Sequence, residues 1–294
     1  MPQHRPSVPP AESTVIGADG WPADLVSAVR ASTEAAARAT LPWVGRGDKT
    51  AADRAAVAAM RAVLLTAPFS GTVVIGEGEK DQAPMLANGE HLGTGSGPDC
   101  DIAVDPLDGT TLAARDLPGA VCVIALSPRG TMLDPAGVFY MEKLISGPAG
   151  HGVLDLRVSA THNLRAFSAA SGIRETSLTV AVLDKPRHVA LIRELEFAGA
   201  RVLRVAEGDV STAIAAASTE AAVDLAMGIG GTPEGVIAAC AVRALGGVML
   251  GRMAPQGDGE RSGARAAGLD LTRIYTVDDL VASDRVLFAS APVT

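Results

Sequence analysis

The sequence predicts an α/β fold of layered architecture, built as one large domain or as two closely packed α/β subdomains. Three observations carry this prediction. The chain has 294 residues, which suits one large domain or two closely packed ones. Apolar residues make up 48% but aromatics only 3%, and the abundant small and β-branched side chains suit tightly packed layers. Short apolar runs also alternate with helical patterns along the second half, as α/β proteins require.

The first half is predicted to begin with helices and to continue with short strands. Ala-rich patterns predict helices over residues 24–43 and 50–65, on either side of a Gly-rich turn. Apolar runs predict strands over residues 72–75, 102–104 and 120–126. Residues 1–20 are predicted to form a disordered tail, because the segment from Met1 is Pro-rich and lacks an apolar signal core.

The second half is predicted to alternate more regularly. Strands are expected near residues 178–183, 201–205, 222–227, 248–250, 273–276 and 286–290, and helices near 187–197, 209–217 and 233–245. A Gly-Pro-Ala-Gly-His-Gly segment lies within residues 146–159 and predicts a junction there. The predicted subdomains are therefore residues 21–155 and 156–294.

Charge, hydropathy and cysteine usage exclude several classes of partner. The net charge is −8 with no basic stripe, so nucleic acid is not an expected partner. No segment reaches the roughly 18 continuous apolar residues of a membrane helix, so no membrane association is expected. Cys100, Cys122 and Cys240 form no CxxC pair, which predicts reduced, buried thiols in a cytoplasmic protein.

Acidic residues follow two predicted strands. Glu77 and Glu79 come after one apolar run, and Asp105 and Asp108 come after another. Ligands of α/β proteins bind at the carboxyl ends of strands. Carboxylates gathered there, without a cysteine or a suitably placed histidine, predict a site for a hard cation, Mg²⁺ or Mn²⁺.

The segment Asp105-Pro106-Leu107-Asp108-Gly109-Thr110 is the most informative. Pro106 fixes φ and predicts a sharp turn, across which both aspartates reach one cluster. The Leu107 carbonyl can face the same way as a further ligand. Taken alone, the segment is also compatible with an ordinary Asp-Gly turn. The upstream Gly76-Glu77-Gly78-Glu79 favours the metal site.

The residues after Asp108 suit an anion. Gly109 permits close backbone approach by a bulky group. If a helix begins here, the amides of Gly109, Thr110 and Thr111 can hold a phosphate. The Thr110 hydroxyl can orient water.

The chain resembles the metal-dependent, lithium-sensitive sugar phosphatase superfamily and, more narrowly, class II fructose-1,6-bisphosphatases. The resemblance spans roughly residues 23 to 291. It implies a layered α-β-α-β-α sandwich of the sugar phosphatase type, made of two closely packed α/β subdomains. Besides the Asp105–Thr110 segment, it rests on Trp43-Val44-Gly45-Arg46-Gly47-Asp48-Lys49, Val74-Ile75-Gly76-Glu77-Gly78-Glu79-Lys80-Asp81, Tyr140-Met141-Glu142-Lys143, Lys185-Pro186-Arg187-His188 and Gly228-Ile229-Gly230-Gly231-Thr232-Pro233-Glu234-Gly235.

The resemblance implies a role for each matching residue. The implied metal ligands are Glu77, Asp105, Asp108 and Glu234, with the Leu107 carbonyl. Asp53 would be a metal ligand or would act with Thr110 on water, and Lys49 would stabilise phosphate charge or ligand carboxylates. The implied substrate-binding residues are Gly109, Thr110, Thr111, Tyr140, Lys185, Arg187, Glu207 and Asp209. The first predicted subdomain would thus bind metal and phosphate, and the second the substrate.

Other interpretations of these residues remain open from the sequence. Lys49 and Asp53 have the spacing of a solvated i,i+4 pair on a helix. Lys185 and Arg187 can be surface charges, and Glu234 can be a first-turn helix acid. His188 is interpreted as structural or as a residue at the rim of the site, outside the catalytic set.

The expected activity is metal-dependent hydrolysis of a sugar phosphate monoester. The family default is fructose-1,6-bisphosphate to fructose 6-phosphate, by a homodimer or homotetramer. A specialised phosphatase for another sugar phosphate or a nucleoside phosphate is the first alternative, because Glu207 stands where the family usually has Asp. The chain also reaches Thr294 where family members usually continue, and Asp108 stands where many carry Glu. An inactive sugar-phosphate-binding paralogue is the alternative from another class.

Overall fold

A computed structural model describes residues 12–77, 86–135, 137–219, 222–266 and 268–294. Two six-stranded sheets flanked by helices confirm the predicted α/β class. The strands are β1 Thr14–Ile16, β2 Ser70–Ile75, β3 His91–Leu92, β4 Asp99–Asp108, β5 Val121–Pro128, β6 Tyr140–Ser146, β7 Thr179–Leu183, β8 Arg201–Val205, β9 Leu225–Gly231, β10 Val248–Met253, β11 Tyr275–Thr276 and β12 Leu287–Pro292. The helices are α1 Ala23–Thr40, α2 Lys49–Leu64, α3 Thr110–Ala114, α4 Ala160–Ser171, α5 Val189–Phe197, α6 Asp209–Ala217, α7 Thr232–Ala244, α8 Asp258–Ala266 and α9 Val277–Leu280.

Among the described residues, the first unit comprises 12–77 and 86–134 together with Val281–Thr294. Its sheet has the strand order β1-β12-β5-β4-β2-β3, in which β2 and β4 are parallel and the other neighbours antiparallel. Helix α1 packs on β5 and β12, and α2 packs on α1 and β4. The fully buried side chains of Phe69, Ile102 and Phe288 lie in this core.

The second unit comprises Pro135–Leu280. Its sheet has the order β11-β10-β6-β9-β7-β8; β7 is parallel to β8 and β9, while β6 is antiparallel to β9 and β10. Leu164, Leu178 and Leu225 belong to its buried core. Because β7 and β9 run in the same direction, the segments that follow them meet at one edge of the sheet.

The structure differs from the predicted boundaries in three places. The observed division falls at Asp134, not in residues 146–159, and the chain returns to the first unit at Val281. Within the predicted tail, Thr14–Ile16 forms β1 and pairs with β12, whereas residues 1–11 lie outside the described residues. Strand β4 continues through Pro106 to Asp108, where the sequence predicts a turn.

Candidate active site

A Gly-rich turn positions Lys49 in the first unit. Gly45 and Gly47 have φ of 73° and 76°, conformations that glycine adopts without strain. Their amides donate to the carbonyls of Ala113 and Ala114, at 3.0 and 2.8 Å, and so attach the turn to the end of α3. Helix α2 then begins at Lys49, capped by the Asp48 side chain, which accepts from the Ala51 amide at 2.9 Å.

Lys49 reaches the segment that the sequence marks for phosphate binding. Its Nζ donates to the Thr111 hydroxyl at 2.5 Å. Asp53 lies one helical turn further along α2 and is partly buried. Burial raises the pKa of the Asp53 carboxyl. Lys49 thus contacts α3, and Asp53 is partly buried on the same helix.

The Asp105–Asp108 segment forms a β-bulge and not a turn. Asp105 lies opposite Val123 and Asp108 opposite Val121, so β4 holds one more residue than β5 across this interval. The Asp105 carboxylate accepts from the Leu107 amide at 3.0 Å, and Asp108 is only 7% exposed. Pro106, which lacks an N–H, is tolerated where a bulge interrupts the ladder.

Gly109 joins this bulge to the short helix α3. Its φ is 86°, and it precedes Thr110, the first residue of the helix. An added Cβ would lie 3.3 Å from the Ala120 Cα, so both conformation and space favour glycine. A helix does begin at Thr110, as the phosphate-binding hypothesis requires.

Glu77 follows β2, and Asp105 lies within the neighbouring parallel strand β4. Ile75 on β2 lies opposite Ala103 on β4, so each acid comes two residues after a paired position. Gly76 allows the chain to pass Leu86, since an added Cβ would lie 1.9 Å from the Leu86 carbonyl oxygen. The Glu77 amide donates to that same oxygen at 2.8 Å. Gly78 and Glu79 lie outside the described residues.

The donor set in this unit fits a hard divalent cation. It offers carboxylates of Glu77, Asp105 and Asp108 and the carbonyl of Leu107, which are the oxygen ligands that Mg²⁺ and Mn²⁺ prefer. Within the described ranges, however, no three Asp, Glu, His or Cys side chains form a group that would hold a metal ion. The predicted donors thus share an edge of the sheet without forming a ready-made metal cage.

Arg187 is fixed in the second unit by two contacts. Its Nε and Nη2 donate to the Ile229 carbonyl at 3.0 and 2.7 Å, and its Cζ lies 5.4 Å from the ring centroid of Tyr140. Lys185 precedes the 3₁₀ helix Pro186–His188 and is partly buried. Arg187, Tyr140 and Lys185 are therefore ordered around the ends of β7 and β9.

His188 is buried between the same two strand ends. Its Nδ1 donates to the Leu183 carbonyl at 2.7 Å, and its Nε2 accepts from the Ile229 amide at 2.7 Å. Burial lowers the pKa of the imidazole, an effect opposed by the bond to Leu183. The hydrogen-bond partners assign the neutral tautomer with its proton on Nδ1. This arrangement agrees with the structural role expected for His188.

Lys143 is a site residue that the sequence analysis did not select. It is 4% exposed, and its Nζ donates to the Asp209 carboxylate and to the Gly231 carbonyl, the latter at 2.9 Å. The signal was present in the Tyr140–Lys143 motif, because a lysine interrupts an apolar strand there. Asp209 begins α6 after Gly208, whose φ is 100°. Lys143 thereby fixes one of the predicted substrate-binding carboxylates.

Glu234 lies close to the backbone of the Gly-rich end of β9. An added Cβ on Gly231 would lie 1.7 Å from Glu234 Oε2, and one on Gly230 would lie 2.0 Å from Asp209 Oδ2. Within the described residues, Glu234 Oε2 is buried without a hydrogen-bond partner. Burial raises the Glu234 pKa, and Lys143 opposes that shift.

The structure divides the predicted residues between the two units. Lys49, Asp53, Glu77, Asp105–Asp108 and Gly109–Thr111 belong to the first unit, and Tyr140, Lys185, Arg187, Glu207, Asp209 and Glu234 to the second. Glu207 is partly buried just before Gly208.

In the part of the chain that the structure describes, no helix is long and apolar enough to cross a membrane.

The comparisons of the sequence with known proteins all point to one family. The family described as "Bacterial fructose-1,6-bisphosphatase, glpX-encoded" matches residues 23–294. Fructose-1,6-bisphosphatase 1 class 2 of Escherichia coli K12 is 44% identical over 275 residues, an alignment that covers 89% of this chain and 82% of that protein. Fructose-1,6-bisphosphatase class 2 of Shigella flexneri gives the same identity and coverage.

Proposed function

Since the chain belongs to the family of bacterial fructose-1,6-bisphosphatases, it is a phosphoric monoester hydrolase, and we propose that it converts fructose-1,6-bisphosphate to fructose 6-phosphate. The single observation that best supports a reaction centre is the β-bulge at Asp105–Asp108. The strand that contains it, β4, is paired with β2, and Glu77 lies two residues after the end of β2. The matching relatives carry the substrate in their printed names.

The metal-dependence of the family leads to a more specific proposal about the ions. Mg²⁺ or Mn²⁺ would be held by Glu77, Asp105, Asp108 and the Leu107 carbonyl. Glu234 is a further proposed ligand, supported by its buried Oε2 atom without a hydrogen-bond partner among the described residues. When bound, divalent cations acidify a water and stabilise the charge on the leaving oxygen.

The protein's own groups would orient the water and the phosphate. Thr110 and Asp53 are proposed to align the attacking water, with Asp53 accepting its proton; the raised pKa of Asp53 suits that role. The amides of Gly109, Thr110 and Thr111 would contact the equatorial oxygens. Lys49 would add positive charge beside Thr111, which its Nζ already contacts.

The second unit would hold the rest of the substrate. Arg187 and Lys185 are proposed to bind the phosphate that is not cleaved, with Tyr140 packed against the guanidinium. Glu207 and Asp209 would accept hydrogen bonds from sugar hydroxyls. Lys143 supports this assignment, because its contact with Asp209 orients that carboxylate.

Asp105→Asn tests the proposed reaction centre. We expect it to abolish phosphate release from fructose-1,6-bisphosphate in Mg²⁺ or Mn²⁺, because an amide is a weak ligand for a hard cation. Asp99→Asn is the matched control, since Asp99 is an exposed aspartate at the other end of the same strand. Near-normal turnover by Asp105→Asn would contradict the assignment.

A substrate panel tests the proposed specificity. It compares fructose-1,6-bisphosphate with another sugar bisphosphate, sugar monophosphates and a nucleoside phosphate. The highest kcat/KM is expected for fructose-1,6-bisphosphate. Strong preference for another compound would assign a substrate role to the change at Glu207, and binding without any turnover would indicate an inactive paralogue.

Two further proposals concern the state of the protein. A cytoplasmic location is supported by Cys100, Cys122 and Cys240, all within the described residues, which are buried and form no disulfide. A homodimer or homotetramer is supported by the family and by Phe197, which is 95% exposed at the end of α5. Light scattering with the purified chain and with Phe197→Ser tests the second proposal.

A further inference from the structure

Both backbone polar groups of Ile229 are held by side chains. Its N–H donates to His188 Nε2 at 2.7 Å, and its carbonyl accepts from Arg187 Nε and Nη2 at 3.0 and 2.7 Å. Two neighbouring side chains of the segment after β7 thus bind the backbone of one β9 residue, through the peptide groups on either side of its Cα. A displacement of Ile229 would alter both contacts.

The His188 ring can support Ile229 only in its neutral form. Nε2 must carry a lone pair to accept from the Ile229 amide, and Nδ1 must carry a proton to donate to the Leu183 carbonyl. The ring is 2% exposed, so neither nitrogen exchanges its partner for bulk water. The ring therefore links the end of β7 to β9.

Gly228 leaves room for the His188 ring. Its φ is 126°, which other residues rarely adopt, and an added Cβ would lie 2.8 Å from His188 Nε2. A side chain here would therefore collide with the ring and strain the backbone. The glycine lets the ring approach the peptide that follows it.

The contact with the Ile229 carbonyl determines which edge of the Arg187 guanidinium remains available to bind a phosphate. Nε and Nη2 face the carbonyl, and the guanidinium also packs on Tyr140. The opposite edge, between Nη1 and Nη2, keeps the two-point geometry that suits a phosphate. A flexible arginine would have to lose side-chain entropy on binding, whereas this one is already ordered.

We infer that His188 is a positioning residue. It holds the backbone of Ile229, whose carbonyl in turn holds Arg187 for the substrate phosphate that is not cleaved. This inference rests on the proposed role of Arg187 in phosphate binding. His188 itself touches neither the substrate nor the reacting atoms.

Two substitutions separate the two hydrogen bonds of the ring. Gln places an acceptor where Nε2 stands and so retains the bond to Ile229, whereas Asn places a donor where Nδ1 stands and retains only the bond to Leu183. We expect His188→Asn to raise KM for fructose-1,6-bisphosphate about tenfold with little change in kcat, as expected for lost ground-state binding. His188→Gln is expected to stay near the wild type.

A double-mutant cycle adds a check on the partner. With Arg187→Met, the Asn substitution at His188 should cause no further rise in KM, because the contact it supports has been removed. Additive effects, or a loss in His188→Gln that exceeds the loss in His188→Asn, would overturn the inference and leave His188 as a tie to Leu183 alone.

A readout without turnover separates this inference from the proposed function. In NMR spectra, the Arg187 Nε–H should be protected from solvent exchange in the wild type and in His188→Gln, and exposed in His188→Asn. Unchanged protection in His188→Asn would overturn the inference. Absence of phosphate release by the wild type, with that protection pattern intact, would instead contradict the proposed function.

Discussion

The predicted site residues of the two units are organised in different ways. In the first unit, Glu77, Asp105 and Asp108 share an edge of the sheet, yet the described side chains form no metal-holding group of three. In the second unit, Lys143 contacts Asp209 directly, and Arg187 is bound to Ile229. We therefore expect the first region, the acids of the first unit, to need added cations, whereas the second region, around Asp209 in the second unit, contains a cation of its own in Lys143.

The largest expected effect comes from removing the internal cation of the second region. Lys143→Met would leave the partly buried Asp209 carboxylate without its partner. Removing one partner of a fully buried pair typically costs about 3–5 kcal/mol of unfolding free energy, and we expect a loss towards the lower end of that range. Urea unfolding measures that loss. In the double variant Lys143→Met with Asp209→Asn, most of the stability should return, because no uncompensated charge remains. A single variant as stable as the wild type would contradict the contrast between the regions.

Cations should stabilise the first region by a smaller amount. A divalent ion at about 100 times its dissociation constant stabilises the folded chain by roughly 2.7 kcal/mol. We therefore expect Mg²⁺ or Mn²⁺ to raise the melting temperature of EDTA-treated protein. Asp99→Asn should keep this shift and Asp105→Asn should lose it. An equal shift in both variants would locate the ions elsewhere.

Lowering the pH should reduce the stability of the second unit, because His188 becomes protonated on unfolding. Burial lowers the folded pKa of this imidazole below its ordinary value of 6.5, although Asp209 acts in the opposite direction. Below 6.5 the unfolded chain then binds more protons than the folded chain, so stability falls as pH falls towards the folded pKa. Urea midpoints between about pH 5 and pH 8 measure this dependence. It should be reduced in His188→Gln, and an identical profile would contradict the assignment.

The smallest effect concerns the thiols of the first unit. Burial raises the pKa of Cys100 to about 12, and that of Cys122 well above its usual value. A thiol reagent at neutral pH should therefore react with them only after unfolding, because the thiolate is the reactive form. Labelling followed by mass spectrometry, with and without urea, tests this. Rapid labelling of Cys100 in the native protein would show that the first sheet opens readily.

Local sequence pattern predicts best those helices and strands whose environment is the same along their whole length. Helix α6 matches its predicted bounds, 209–217, and β8 matches 201–205. Strand β6 was missed because Glu142 and Lys143 interrupt its apolar pattern. Those charges are tolerated because Arg252 binds Glu142 at 2.6 Å and Asp209 binds Lys143. Such partners come from distant parts of the chain, and a local pattern does not contain them.

The sequence selects candidate site residues, but it does not predict how they are arranged. The acids at the strand ends follow from the apolar runs before them, and the parallel pairing of β2 and β4 fits that expectation. The bulge at Pro106 was not predictable, because it depends on the register between β4 and β5. The Ile229 link was also hidden, since it depends on the φ of Gly228.

Strand β12 has a consequence for the order of folding during synthesis. It pairs with both β1 and β5, inside a sheet whose other strands precede residue 109 or end at Pro128. The ribosome makes Leu287–Pro292 only after the whole of Pro135–Leu280. The second unit can therefore complete its core without any later segment of the chain, while the first unit keeps an open sheet edge until β12 has been made. Released chains truncated after Leu280 should accordingly protect the second unit from protease better than the first.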